Sequence, residues 1–446
     1  MKIYQWGQQD PEFQQRLAQR KTYYFDLEDQ RQKQVEQIFK DIIQGRDQAL
    51  FDYTAKFEGH KLTAQNVRVS RQELKQAWKR VPARDRRTIS LAASRIERFH
   101  KEQRPRAFRL KEKTGTRIEQ RVVSLERVGI YIPAGRSPLF STVLMTAIPA
   151  KIAGVQRIVM ISPWPKGEMN PYILTAARMV GVHEIYKIGG AQGIFALAYG
   201  TQSIPWVNKI VGPGSIWVSE AKALVARMGY IGIDMVAGPS EIMVLADGSF
   251  PADLAAADLL SQLEHGEDSM ATLVTTSKKY AAKVRDEMTK QSSVSGRKEY
   301  FEKTLQNLAT LIWTRNLEES IEVVNRTAPE HLEILAKSPR KILNKIKNAA
   351  SIFLGPYSPV PIGDYLAGPN HVLPTAYRAK YASPLGVEDF VKRQSVVEFS
   401  KEALLKLGPV AERMAELEGL DGHAQAIRIR REALAKEKPR RKRGRK

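Results

Sequence analysis

The chain has 446 residues, 27% charged and 43% hydrophobic, enough for roughly three domains with buried cores. It contains no cysteine, which excludes disulfides, thiolate metal sites and cysteine nucleophiles; any metal must be held by His, carboxylate or amide ligands. The net charge of +23 is concentrated, with 21 Lys/Arg against 9 Asp/Glu in residues 51–127 and 8 against 1 in the tail 436–446, KEKPRRKRGRK.

Residues 1 to about 105 read as helical. One face of 27–44 carries Val35, Ile38, Phe39 and Ile42, and 84–99 repeats the pattern with Ile89, Leu91 and Ile96. His60 and His100, in polar surroundings, read as surface residues. From Arg117 short β-branched runs alternate with helices: VGIYI (128–132), RIVMIS (157–162), EIYKIG (184–189) and KIVGPGS (209–215). That alternation implies parallel βαβ units, whose glycine turns lie at the carboxyl ends of strands, where open sheets bind ligands. No G-x-G-x-x-G fingerprint occurs, so Gly189-Gly190-Ala191 and Gly212-Pro213-Gly214 read as either tight turns or phosphate-approaching loops.

GIDMVAGPSEIMVLAD (232–247) adds two strands, and DLLSQLEHGED continues a helix with Leu254, Ala257, Leu260 and Leu263 at three-residue spacing. On its last turn Gln262 and His265 leave the same face, either as half of a metal site or as a solvated helix end. MATLVTT and LIWT resume the rhythm, which suggests two similar sheets. Glu330 and His331, adjacent after Pro329 where a helix gives way to a strand, could supply two proton carriers of different pKa, or form a surface pair at a turn. IGDYLAGPNHVLPT (362–375) is a long loop that carries Asp364 and His371. Beyond Ser383 the sequence reads as helical, interrupted by LEGLDGH (417–423). Of seven histidines, His265, His331, His371 and His423 fall in Gly- or acid-rich segments, and that clustering points to one shared site.

Eight collinear motifs resemble the histidinol dehydrogenase family: GIYIPAG-x-x-PLFSTVLM, IGGAQGI-x-ALAYGT, KIVGPGS-x-WV-x-EAK, IDMVAGPSEI, DLLSQLEHGEDS, APEHLEI, GDYLAGPNHVLPT and the final GLDGH. They span 128–423. The resemblance implies an α/β fold of two incomplete Rossmann-like domains with small terminal segments, in an intertwined homodimer. It divides the chain into an N-terminal segment (1–26), a first domain with the zinc and acid–base residues (27–128 and 238–382), an NAD-binding second domain (129–237), a helical C-terminal arm (383–435) and the basic tail.

It also implies a reaction: L-histidinol, two NAD and water give L-histidine. One zinc per subunit would be held by Gln262, His265, Asp364 and His423. Glu330 and His331 match the acid–base pair. Ser240, His371 and Glu418 match further substrate contacts beside these residues, and Tyr131, Gln192 and Ser215 fall at NAD contacts. Glu418 and His423 would come from the partner subunit. Ser215 stands where the family usually has Asn, Ala134 and Arg136 replace the usual Gly and Thr, and Ala367 replaces a usual Ser; these departures touch the cofactor side.

Two other readings remain. One is a zinc/NAD dehydrogenase of the same fold that acts on another small alcohol. The other is a non-catalytic basic protein that binds nucleic acid through 51–127 and the tail, non-specifically and salt-dependently. The polar N-terminus and the absence of any apolar run near the ~20 residues of a membrane span lead to the expectation of a cytoplasmic enzyme.

Overall fold

A computed structural model describes residues 1–8, 10–13, 15–16, 28–134, 138–168, 170–266 and 268–436. The departure at Arg136 and all but the first residue of the basic tail lie outside them. The chain forms two compact units, Met1–Arg104 with Leu125–Phe390, and Pro105–Ser124 with the chain from Val391 onward.

The first unit holds two parallel sheets. One is built from β4 (Arg127–Tyr131), β5 (Arg157–Ile161), β6 (Glu184–Tyr186), β7 (Lys209–Val211) and β8 (Gly232–Ile233), in the order β6-β5-β4-β7-β8. The other uses β9 (Glu241–Ala246), β10 (Met270–Thr275), β11 (Ala309–Trp313), β12 (His331–Leu335) and β13 (Ser351–Leu354). Its order is β1-β11-β10-β9-β12-β13, with β1 (Ile3–Gln5) added at the edge. Setting β1 aside, both follow the winding of a mononucleotide-binding half, in which strand order reverses beside the first strand. Strand β9 is buried throughout, as are the last four residues of β4 and of β5, the near-continuous apolar pattern of strands covered on both faces.

Helix boundaries follow local chemistry. Pro171–Val180 starts on an Asn170 side-chain cap with Pro at the first turn and stops at left-handed Gly181 (φ 76°). Phe140–Ala153 is buried from Thr142 through Ala150, as a central helix requires, and carries Pro149 in its interior.

The packing of the N-terminal helices departs from the expected grouping of 27–128 with 238–382. Val35, Ile38, Ile42 and Leu50 of helix Glu28–Glu58 share a core with Val159, Phe195 and Ile210, on the β4–β8 sheet. Ile89 and Ile96 of helix Ala83–Glu102 join Met145 and Ile173 on that sheet's other core, while Leu91 is exposed. His100 is not a surface residue: it is fully buried, its Nδ1 2.6 Å from Gln103 Oε1. Both ring nitrogens of His60 are also buried.

The second unit has a three-stranded antiparallel sheet, β14-β3-β2, from β2 (Phe108–Lys111), β3 (Arg117–Ser124) and β14 (Val391–Glu398). Residues 391–398 are therefore a strand, where the chain from Ser383 to the interruption at 417–423 was expected to be helical; eight ladder positions against β3 override the weak local preference of VKRQSVVE. Helices Lys401–Leu417 and Asp421–Lys436 follow, joined side by side by Arg428 and Arg431 on the largely buried Glu412 and by Arg428 Nη2 on Glu416 at 2.7 Å. Among the described residues no helix is long and apolar enough to cross a membrane.

Candidate active site

A cleft of about 140 Å³ lies within the first unit, and seven predicted site residues line it: Ser240, Gln262, His265, Glu330, His331, Asp364 and His371. Leu139, Thr142, Pro213 and Asp234 of the β4–β8 half line it as well. Pro213 follows the carboxyl end of β7, as the strand-order rule expects. Ser240 and Glu330, in contrast, immediately precede β9 and β12, so the other sheet contributes the amino ends of its central strands.

Helix Ala252–Leu263 delivers Gln262 on its last turn and His265 just beyond it. Its buried face is rotated from the expected one. Leu254 and Ala257 are exposed while Leu260 and Leu263 are buried as expected, and Ala255, Ala256, Asp258, Leu259 and Gln262 join them in the core. Gln262 is thereby 2% exposed, while His265 is exposed with Nδ1 3.1 Å from the Ser261 carbonyl.

Helix Leu317–Thr327 ends on Ala328 in the left-handed region (φ 47°), and Pro329 then sets Glu330-His331 at the start of β12. Glu330 Oε2 accepts the Glu241 backbone N–H at 2.7 Å, and His331 Nδ1 lies 3.0 Å from the Glu241 carbonyl. His331 donates its Nδ1–H to that carbonyl and turns Nε2 to Asp364 Oδ1 at 3.7 Å; Nε2 is buried and makes no hydrogen bond. Burial disfavours the charged ring, yet Glu330 and Asp364 outweigh it and hold the His331 pKa up at about 10. Asp364 is pushed up by burial and pulled down further by its His331 contact and by the nearby His371 and His265, so its net shift is downward. Burial lowers the pKa of His371, whose Nε2 is likewise without a partner.

Two positioning residues escaped the sequence reading. Glu241 sits in the IDMVAGPSEI motif but holds Glu330 and His331 through its backbone, which no side-chain pattern reveals. Asn370 is the other. Pro149 cannot donate the helical N–H to the carbonyl of Met145, and Asn370 Nδ2 takes that carbonyl at 2.7 Å while Oδ1 accepts Val372 N–H at 2.9 Å. His371, between them in sequence, is held from both sides.

A second cleft, of about 650 Å³, opens along the β4–β8 half and is lined by Lys56, Phe57, Gly190, Gln192, Ser215 and Trp217 among others. Gln192 and Ser215 were expected cofactor contacts. The third, Tyr131, is buried, its hydroxyl accepting Gly190 N–H at 3.4 Å. Pro213 borders the first cleft and Ser215 the second, so one turn adjoins both. Gly212 in that turn has φ 113°, and a side chain there would strike the Tyr131 carbonyl.

The histidinol dehydrogenase family model matches residues 24–431. The chain belongs to the histidinol dehydrogenase family. A histidinol dehydrogenase of Listeria monocytogenes is 47% identical over 399 residues, covering 90% of this chain and 92% of that one. One of Aquifex aeolicus is 43% identical over 404 residues, covering 91% and 93%. The crystal structure of histidinol dehydrogenase from Elizabethkingia anophelis superposes with a TM-score of 0.90 at 36% identity, covering 98% and 99%. Family membership makes the chain an NAD-dependent oxidoreductase.

Residues of the histidinol dehydrogenase motifs line both clefts, and the side chains of the first bear on the expected zinc set. Among the described residues no three His, Asp or Glu side chains are placed to hold an ion by themselves. The set does not require that of one unit. Of the expected ligands the cleft supplies the His265 imidazole, the Asp364 carboxylate and the Gln262 amide, a cysteine-free N/O set suited to zinc. The expected fourth ligand, His423, and the expected substrate contact, Glu418, lie in the second unit, where Glu418 caps helix Lys401–Leu417 and His423 falls in the first turn of the next.

Proposed function

We propose that this protein oxidises L-histidinol through L-histidinal to L-histidine with two NAD, the last step of histidine biosynthesis. The observation that carries the reading is the convergence in one cleft of seven side chains drawn from four separate segments between 240 and 371, beside a second cleft large enough for a dinucleotide.

Gln262, His265 and Asp364 of one chain and His423 of its partner would hold one zinc per subunit. Zinc supplies, when bound, a cationic anchor for the imidazole and amine of histidinol, and NAD supplies the hydride acceptor. Ser240, His371 and the partner's Glu418 then hold the polar ends of the substrate and fix its carbinol carbon toward the Pro213–Ser215 turn. With a cation on Asp364 offsetting the carboxylate charge that raises its pKa, His331 would be neutral and receive the alcohol proton at Nε2, Nδ1–H staying on the Glu241 carbonyl. Glu330, one oxygen fixed by Glu241 N–H, takes a proton from the water that adds to the aldehyde. His331 returns its proton to the carbonyl oxygen as the water adds, and is then free to take a hydroxyl proton as the hydrate loses its second hydride.

Homodimerisation is supported by the apolar surface of the second unit: Leu405, Val410, Met414, Leu417 and Leu420 are all exposed, a density seldom left to water. Assays of zinc-loaded protein begun separately from histidinol and from histidinal test the roles. Glu330→Gln should lose the aldehyde-to-acid half by about 10²–10⁴-fold and spare much of the alcohol step, whereas His331→Asn should slow the first step by a similar factor. No histidinol turnover by the parent protein would sink the assignment; loss of only the alcohol step in Glu330→Gln would reverse the roles.

A further inference from the structure

The turn that adjoins both clefts has no means of holding itself. Gly212, Pro213 and Gly214 bring no side chain able to donate or accept a hydrogen bond, and Gly212 sits at φ 113° against the Tyr131 carbonyl. Two charged residues fix it from outside. Asp234, just past β8, accepts Gly212 N–H on Oδ2 at 2.7 Å. Lys222, on helix Ile216–Arg227, donates from Nζ to the Gly212 carbonyl at 3.0 Å and to Asp234 Oδ1. Both charged side chains are 1% exposed. One buried ion pair therefore takes both backbone hydrogen-bonding groups of a single glycine.

The same pair anchors the chain where it leaves this sheet for the other. Residues 234–240 connect β8 to β9 outside any strand, and side chains hold them instead. Asp234 Oδ1 accepts Met235 N–H at 2.6 Å, and Ser219 Oγ, on the helix of Lys222, donates to the Ala237 carbonyl at 3.0 Å. Arg378 Nη1 donates to the Val236 carbonyl at 2.8 Å, and Thr375 Oγ1 accepts Gly238 N–H at 2.6 Å. Ser240, in the first cleft, ends the connection. Stability alone does not call for such a pair, because packed apolar residues of similar volume often hold a core as firmly as two desolvated charges. What the charges add is direction: they tie the turn that leads to Ser215 of the second cleft to the segment that ends at Ser240 of the first.

We propose that Lys222 and Asp234 are positioning residues for hydride transfer, acting through Gly212 to keep the two clefts in register. The inference rests on the histidinol and NAD reading of those clefts. Lys222→Met leaves the Asp234 charge buried and unpaired, so the denaturation midpoint should fall; adding Asp234→Asn removes the second charge and should recover most of it. The chemistry should not recover with the fold. In a single turnover of the folded double variant, hydride transfer should be slower by on the order of 10²-fold, the cost of about a 1 Å misplacement, while titrations with NADH and with histidinol change little. Hydrogen exchange of the full chain needs neither ligand: the Gly212 amide should exchange faster in the double variant, since a carboxamide accepts less strongly than a carboxylate, while β4 and β5 keep their protection. A merely structural pair would lower the amplitude of the single turnover and leave its rate alone, and a parent rate in the folded double variant would overturn the proposal, as would unchanged exchange at Gly212. Should the double variant not fold, Asp234→Glu keeps both charges but displaces the turn by a methylene, and a parent rate there would overturn it equally. Failure of the parent protein to oxidise histidinol would instead remove the reading beneath the inference.

Discussion

At the scale of single residues, the site is held by backbone groups that its own sequence features set free. Pro149 illustrates this. By withholding its N–H it leaves the Met145 carbonyl unpaired inside a buried helix, and Asn370 fills the vacancy at 2.7 Å beside His371. Asn370→Ala should therefore cost about 1–3 kcal/mol, the penalty of a buried carbonyl without a partner. In a Pro149→Ala background the helix restores its own bond to Met145, so the same substitution should cost much less. Chemical denaturation of the four proteins in this cycle measures the coupling; equal costs in both backgrounds would mean that the carbonyl is not what Asn370 serves. Such residues were illegible in advance because their partners are created by the fold. Glu330 and His331 were legible because Pro329 fixes where the helix must stop and where the strand begins.

At the scale of elements, helix Ala252–Leu263 shows why a correct helix can be read with the wrong face. Three-residue spacing of Leu and Ala favoured a stripe through Leu254 and Ala257, but the buried stripe contains Asp258 and Gln262. Asp258 lies close enough to Glu333 on β12 for the two buried carboxyls to act on each other's charge. Burial, reinforced by Asp258, pushes Glu333 from its ordinary 4.5 up to about 9. The folded protein thus keeps a proton that the unfolded chain releases, so stability from this group is present below about pH 4.5 and is lost as pH rises toward 9. Thermal melts across that window should show a decline of at most about 1.4 kcal/mol per pH unit for the parent. Glu333→Gln should flatten it, and a slope unaltered by the substitution would show that the pair does not hold the proton. The strand β14 was missed for a related reason: exposed residues on both faces leave VKRQSVVE without the apolar alternation that marks a strand, and only the ladder with β3 reveals it.

At the scale of the whole molecule, two sheets with the same winding contribute opposite strand ends to one cleft, and the remaining expected contacts, Glu418 and His423, belong to the second unit. The repeated α/β rhythm made the two sheets legible, whereas the placement of residues 28–104 on the β4–β8 sheet was not, because amphipathic helices do not name the surface they cover. Whether His423 serves its own chain or its partner is decided by symmetry. In a symmetric dimer with exchanged arms, a chain bearing His265→Ala paired with one bearing His423→Ala concentrates both lesions in one site and leaves the other whole. Each variant alone should be inactive and, by metal analysis, depleted of zinc. Unfolded together and refolded with random pairing, half of the dimers are mixed and each carries one intact site of two, so about a quarter of the parent activity should return. If His423 completed the site of its own chain, every site in the mixture would carry one lesion, and refolding would restore nothing.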